Sequence, residues 1–176
     1  MLRNVMLCLI TIASLASQPV LAKEKAAQHA KQAAPIIHSL GETVVKMPLA
    51  KGVSLDDAAQ SMKLRANGLN MKLVAELPLS KQIEAITGKP EPRATIYQFC
   101  DAMTARQMLN DSLDFAAYLP CRIALVEDAK GQGWLVMMDL NLLINAAHLP
   151  PALKARAIEV RNSLENIMKA GANGDL

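Results

Sequence analysis

The sequence predicts an α+β domain: an antiparallel sheet of about five strands, helices packed on one face, and a long C-terminal helix. Three observations carry this. Five short runs rich in β-formers are each bounded by turn residues or by helical patterns. Two longer segments repeat apolar residues every three or four positions. The last two strands are joined by DAKGQG, too short for a crossover, so they form an antiparallel hairpin.

The elements follow in order. Glu42 to Leu49 (ETVVKMPL) reads as the first strand, with Pro48 near its end. Ser54 caps a helix whose first turn holds Asp56 and Asp57, where the helix dipole favours acids. Leu55, Ala58, Ala59, Met62 and Ala66 form its buried face, and Gly68 is its stop signal. Asn70 to Leu77 is a second strand, with Met71, Leu73, Ala75 and Leu77 expected on one face. Ser80 to Gly88 is a short helix on Ile83 and Ile86, and KPEP after it is a loop. Ala94 to Cys100 (ATIYQFC) is a third strand. A short helix over Thr104 to Asn110 precedes Leu113 to Leu119, which ends against Pro120. Cys121 to Glu127 and Trp134 to Asp139 are the fourth and fifth strands. After Pro150-Pro151, Leu153, Ala157, Val160, Leu164 and Ile167 step along one face of a helix that runs to about Lys169.

The amino terminus has the form of an export signal. Arg3 precedes an uncharged apolar stretch, Val5 to Ala16, and Val20-Leu21-Ala22 fits the small-residue cleavage pattern. The apolar stretch is short of the roughly 20 residues a spanning helix needs, so no stable membrane span is expected after cleavage. The expected organisation is a signal peptide over 1–22, a polar lead-in over 23–40, an α+β domain over 41–145, a helix over 146–170 and a flexible tail over 171–176. A periplasmic or secreted location follows. Loss of Arg3 leaves a net charge of about +2, with the basic residues scattered, and this argues against a nucleic-acid partner.

No catalytic constellation is visible. There is no glycine-rich phosphate loop, no closely spaced cysteine pair and no haem-attachment motif. No histidine lies between His38 and His148, so the middle of the chain lacks the commonest general base and metal ligand. An enzyme is therefore not the favoured reading. All five aromatics, Tyr97, Phe99, Phe115, Tyr118 and Trp134, fall in one window together with Cys100 and Cys121. They read first as the densest part of the core, and secondly as the lining of a pocket beside two sulfurs. Tyr97 and Phe99 share one sheet face and Cys100 the other, so not all of them can border one cavity. The methionines are spread along the chain, and most fit apolar faces. They read as gap-filling core rather than copper ligands.

One arrangement resembles a known family. Phe99-Cys100-Asp101 ends a strand, and a short helical segment follows. Leu119-Pro120-Cys121-Arg122 then starts a strand, which a glycine turn links to another ending at Asp139. This resembles the bacterial "domain of unknown function 302" family over roughly Glu42 to Leu143, with Asp101 where the family more often has asparagine followed by proline. The lead-in and the C-terminal helix look like additions to the family core. The resemblance implies a compact fold with a curved antiparallel sheet, and it implies no activity.

Three uses of Cys121 compete. It can pair with Cys100, since each lies at the end of a strand and exported cysteines meet an oxidising compartment. It can stay reduced and buried as a small hydrophobe. Or the two can act as a redox couple or bind copper or haem, which would need a lowered thiol pKa. Arg122 is adjacent, but on a strand it points to the opposite face. Leu119 and Pro120 set where the strand starts in every case. The favoured reading is a non-enzymatic module that binds a small ligand or a protein partner, has a structural cysteine pair and carries no cofactor. A thiol-redox or soft-metal/haem protein is the alternative.

Overall fold

A computed structural model describes residues 35–39 and 41–175. The expected export signal over 1–22 and most of the expected lead-in lie outside the described residues. Six strands form one antiparallel sheet: β1 (Ile37–Ser39), β2 (Val44–Pro48), β3 (Lys72–Pro78), β4 (Ala94–Cys100), β5 (Cys121–Glu127) and β6 (Gly133–Met138). Their order across the sheet is β1-β2-β6-β5-β4-β3. The helices are α1 (Leu55–Gly68), α2 (Leu79–Thr87), α3 (Ala102–Asp111), α4 (Leu140–Ala146) and α5 (Pro151–Asn173), with a 3-10 turn at Leu113–Ala117. The α+β architecture and the long C-terminal helix are as the sequence predicts. No helix among the described residues is long and apolar enough to cross a membrane.

The main core lies between the sheet and α1 and α5. Met47, Tyr97, Phe99, Ile123, Leu125 and Leu135 come from alternate strand positions and meet Ala58, Met62, Leu164, Ile167 and Met168 from the two helices. Each fully buried Leu, Ile, Phe or Met contributes roughly 1.5–3 kcal/mol relative to exposure. The small residues on α1 let α5 approach closely. A Cβ added at Gly171 would lie 2.6 Å from Met62 Cγ and 2.9 Å from Leu135 Cδ1. The end of α5 is thus a packed junction rather than part of a flexible tail, and Gly171 and Ala172 are buried in it.

Four local features depart from the expectations. The sixth strand, β1, arises in the polar lead-in, where Ile37, His38 and Ser39 pair with Lys46, Val45 and Val44. Its three residues carry no alternation of their own, so only the edge of β2 specifies it. In β3 the register with β4 jumps from Leu73↔Phe99 to Ala75↔Gln98. The extra residue flips the side-chain order, so Leu73 and Ala75 lie on opposite faces rather than one. The α1 helix ends through Asn70, which takes a positive φ of 58°, rather than through a glycine cap at Gly68. Helix α4 is an element additional to those the sequence predicts. Asp139 starts it by accepting a hydrogen bond from the Asn141 amide at 2.9 Å, and Ile144 is buried on its inner side.

A second, smaller core forms where α3, α4 and α5 meet. Met108, Ile144, Leu153 and Ala157 are buried there, with Phe115, Leu140 and Leu149 packed against them. This satellite core stands at the end of the sheet where β4 finishes and β5 begins, and it frames the site.

Candidate functional site: an apolar cavity bordered by two thiols

Each wall of the cavity has a local cause. Asp101 caps α3, accepting from the amides of Met103 (3.1 Å) and Thr104 (3.3 Å) and from Thr104 Oγ1 (2.7 Å). Partial burial pushes its carboxyl up, but these hydrogen bonds outweigh that and hold it below the ordinary value. The cap orients α3 so that Thr104 and Met108 turn inward. Ser112 starts the 3-10 turn by accepting from the Asp114 amide, and that turn presents Phe115. The Leu119–Pro120 peptide is cis, and β5 begins at the next residue. Asp139 starts α4 and Pro150-Pro151 starts α5, which bring Leu143, Ile144 and Ala157 to the other side.

Between these walls lies a cavity of about 70 Å³, bordered by Cys100, Thr104, Met108, Phe115, Tyr118, Leu119, Cys121, Leu143, Ile144 and Ala157, among others. That is well above the minimum of about 10–15 Å³ needed to hold one water. The lining is almost wholly apolar, so the cavity suits a hydrocarbon group better than water.

The structure separates the aromatic set. Phe115 and Tyr118 line the cavity. Tyr97 and Phe99 are fully buried in the main core. The Tyr97 hydroxyl accepts from Arg93 Nη2 at 3.1 Å, and Arg93 also pairs with Asp56. Trp134 stands at the opposite end of the hairpin, where its Nε1 donates to Asp128 at 3.0 Å and Lys46 Nζ lies 5.1 Å from the ring centroid. The pocket expected from five rings thus has two of them. The missing signal was α4: its Leu140, Leu143 and Ile144 complete the wall, and the capping Asp139 before an apolar helical spacing was the clue to it.

Cys100 and Cys121 both border the cavity and are free thiols. The structural disulfide favoured by the sequence is not formed. Phe99 is the cross-strand partner of Cys121, so Cys121 shares its face, whereas Cys100, one residue on, lies on the alternate face. Burial pushes the Cys121 thiol up to about 11, the neighbouring Cys100 adds to this, and Arg122 opposes it without cancelling it. Burial and Asp101 raise Cys100 as well. Both are therefore protonated near neutral pH, the opposite of an activated thiolate. Among the described residues, no three of His, Cys, Asp and Glu converge as a metal site.

The sheet also opens at this end. The β5–β6 register runs from Glu127↔Gly133 to Ala124↔Val136 and stops. On either side the ladders continue, β4 with β5 to Phe99↔Cys121 and β2 with β6 to Val44↔Met138. β5 and β6 therefore splay apart, and a crevice of about 510 Å³ lies there, bordered by Arg122 and Ala124 on one side and Val136, Met137 and Met138 on the other. Arg122 is exposed on β5. Pro120, just before β5, is part-buried.

The model of the family described as "Domain of unknown function DUF302" matches residues 45–171. The chain belongs to the DUF302 family. The match runs through most of α5, so the C-terminal helix belongs to the DUF302 region and is not an addition to it. A crystal structure of an uncharacterized conserved DUF302 protein from Bacillus stearothermophilus is similar, with a TM-score of 0.61 at 15% identity. The alignment covers 73% of this chain and 97% of that one. At that identity the likeness concerns the fold. No curated protein matches the DUF302 chain.

Proposed function

We propose that this DUF302 protein is an exported, non-enzymatic module that binds a small apolar ligand in the cavity between the sheet end and α3, α4 and α5. The observation that carries the reading is the cavity itself: an apolar space between the end of the sheet and the satellite core, bordered by side chains from six separate elements. Binding sites for small molecules are concave and mostly apolar, as this space is. Bordered by the partly exposed Tyr118, it is a ready site for a hydrocarbon group. The export signal read at residues 1–22 supports a periplasmic or secreted location. The raised pKa values favour thiols that serve as lining, with no cofactor. The alternative, a thiol-redox or soft-metal or haem protein using Cys100 and Cys121, needs a thiolate that burial opposes here.

Titration with hexanol, followed by amide chemical shifts, tests the reading. Shifts are expected to centre on Met108, Ile144 and Ala157. Ile144→Trp fills the cavity and removes them while the fold is retained. Shifts spread evenly over the surface, or unchanged in Ile144→Trp, would overturn it.

A further inference from the structure

The crevice between β5 and β6 and the apolar cavity are neighbours. Tyr118, Cys121 and Leu140 border both, so these three side chains form the wall between them. The two spaces differ in chemistry. The cavity is apolar throughout its lining apart from the capped Asp101 and Thr104 and the thiols. The crevice has a cation at its rim: Arg122 is exposed, and no carboxylate among the described residues forms an ion pair with it.

Two carboxylates at this end of the sheet are engaged elsewhere, and Glu42, next to the crevice residue Thr43, forms no ion pair with Arg122. Asp101, beside Cys100, accepts from Thr104 and the α3 amides. Asp139, at the end of β6, accepts from Asn141 and lies 3.5 Å from His38 Nδ1. The cross-strand partner of Arg122 on β4 is Gln98, which is neutral. The guanidinium is therefore a free anion-binding fork at the mouth of a crevice that backs onto a hydrocarbon-sized space.

We infer that the two spaces form one bipartite site for a short-chain amphiphile with an anionic headgroup. The chain occupies the apolar cavity, the headgroup sits at Arg122, and Tyr118 is the ring that turns aside to admit the chain. This rests on the cavity reading above and adds the ligand's class to it. A carboxylate and a phosphate ester share the required chemistry. The ligand is taken as a free molecule rather than a lipid held in a bilayer.

Hexanoate, hexanol and hexyltrimethylammonium, each titrated into the protein by amide chemical shift, test the inference. Hexanoate is expected to bind about five- to tenfold more tightly than hexanol, as a charge-assisted hydrogen bond allows, and the cation more weakly than either. Arg122→Gln is expected to erase the preference for hexanoate and leave hexanol binding unchanged. Because Arg122 is exposed on its strand, this variant is expected to keep the fold. Equal affinity for hexanoate and hexanol, or a preference that survives Arg122→Gln, overturns the headgroup assignment alone. If hexanol too fails to bind at the cavity, the underlying reading fails with it. Sedimentation with phosphatidylglycerol vesicles separates the sources. The protein is expected to stay in solution, and Arg122-dependent co-sedimentation would overturn the free-ligand assignment.

Discussion

Phe99 and Cys121 face each other across β4 and β5, while Cys100, the next residue along β4, is in register with Lys72 on β3. The two thiols thus start from alternate faces of the sheet and border one cavity without bonding. A disulfide needs Cα atoms and Cβ vectors that converge, and the one-residue offset works against that. Peptide mass mapping after iodoacetamide treatment under denaturing, non-reducing conditions is expected to find Cys100 and Cys121 both alkylated. Recovery of a linked peptide pair that separates only with reductant would refute the free-thiol arrangement.

The part-buried Cys121 thiol also makes stability depend on alkaline pH. Cys121 is pushed up to about 11 from an ordinary 9.0. Between those values the unfolded chain has released its proton and the folded chain still holds it. The thiol's contribution is therefore complete below about pH 9 and is lost as pH rises toward 11. The stability difference between wild type and Cys121→Ala, measured by urea unfolding, is expected to be flat up to pH 8.5 and then to fall by on the order of 2 kcal/mol. A difference that stays constant to pH 11 would contradict the burial assigned to this thiol.

Gly171 is a packing requirement of the main core. An alanine Cβ would lie 2.6 Å from Met62 Cγ, 2.9 Å from Leu135 Cδ1 and 3.2 Å from the Ala58 carbonyl oxygen. The side chains can shift, but the α1 backbone has less freedom to do so. Gly171→Ala is expected to cost about 1–3 kcal/mol in chemical denaturation, despite the better helix propensity of alanine. A neutral or stabilising result would mean that α1 and α5 separate easily.

Trp134 reports on the hairpin turn. The Asp128 carboxylate accepts from Trp134 Nε1 and from the amides of Lys130 and Gln132, and these hydrogen bonds, that of Trp134 foremost, hold its pKa below the ordinary value. The stabilisation is therefore present above the ordinary carboxylate range and lost as pH falls through the depressed value. Trp134 is the chain's single tryptophan, so its fluorescence reads the change directly. An acid transition with a midpoint below the ordinary aspartate value is expected, and Asp128→Asn should remove it. A transition that persists in Asp128→Asn must belong to another group.

Much of the fold was legible because it rests on local periodicity. The alternation of Tyr97 and Phe99 against Ile96 and Gln98, and the three-four spacing from Leu153 to Ile167, each specify an element and its buried face. The failures have a shared cause. The three residues of β1 have no pattern of their own, and they become a strand through the edge of β2. The bulge at Val74 is invisible to a rule of strict alternation, yet it puts Leu73 and Ala75 on opposite faces.

The candidate site was legible only in part. The window holding both cysteines, Phe115 and Tyr118 was marked by its concentration of rings and sulfur. Tyr97, Phe99 and Trp134 fall in the same window but go elsewhere, because sequence proximity does not say which sheet face or which end of a strand a ring occupies. The wall supplied by Leu143, Ile144 and Ala157 lies more than twenty residues beyond Cys121, and only the return of α4 and α5 brings it alongside.

The sequence by itself determined the architecture, the family and the start of β5, because these depend on residue periodicity, turn chemistry and motif order. The tertiary structure alone decided what the thiols do. Strand register sets which residue faces Cys121, and the main core together with the helices around the cavity sets how dry its surroundings are. Register and dielectric are properties of neighbours brought together by folding, and they made Cys121 a protonated wall between an apolar cavity and a crevice with a free arginine at its rim.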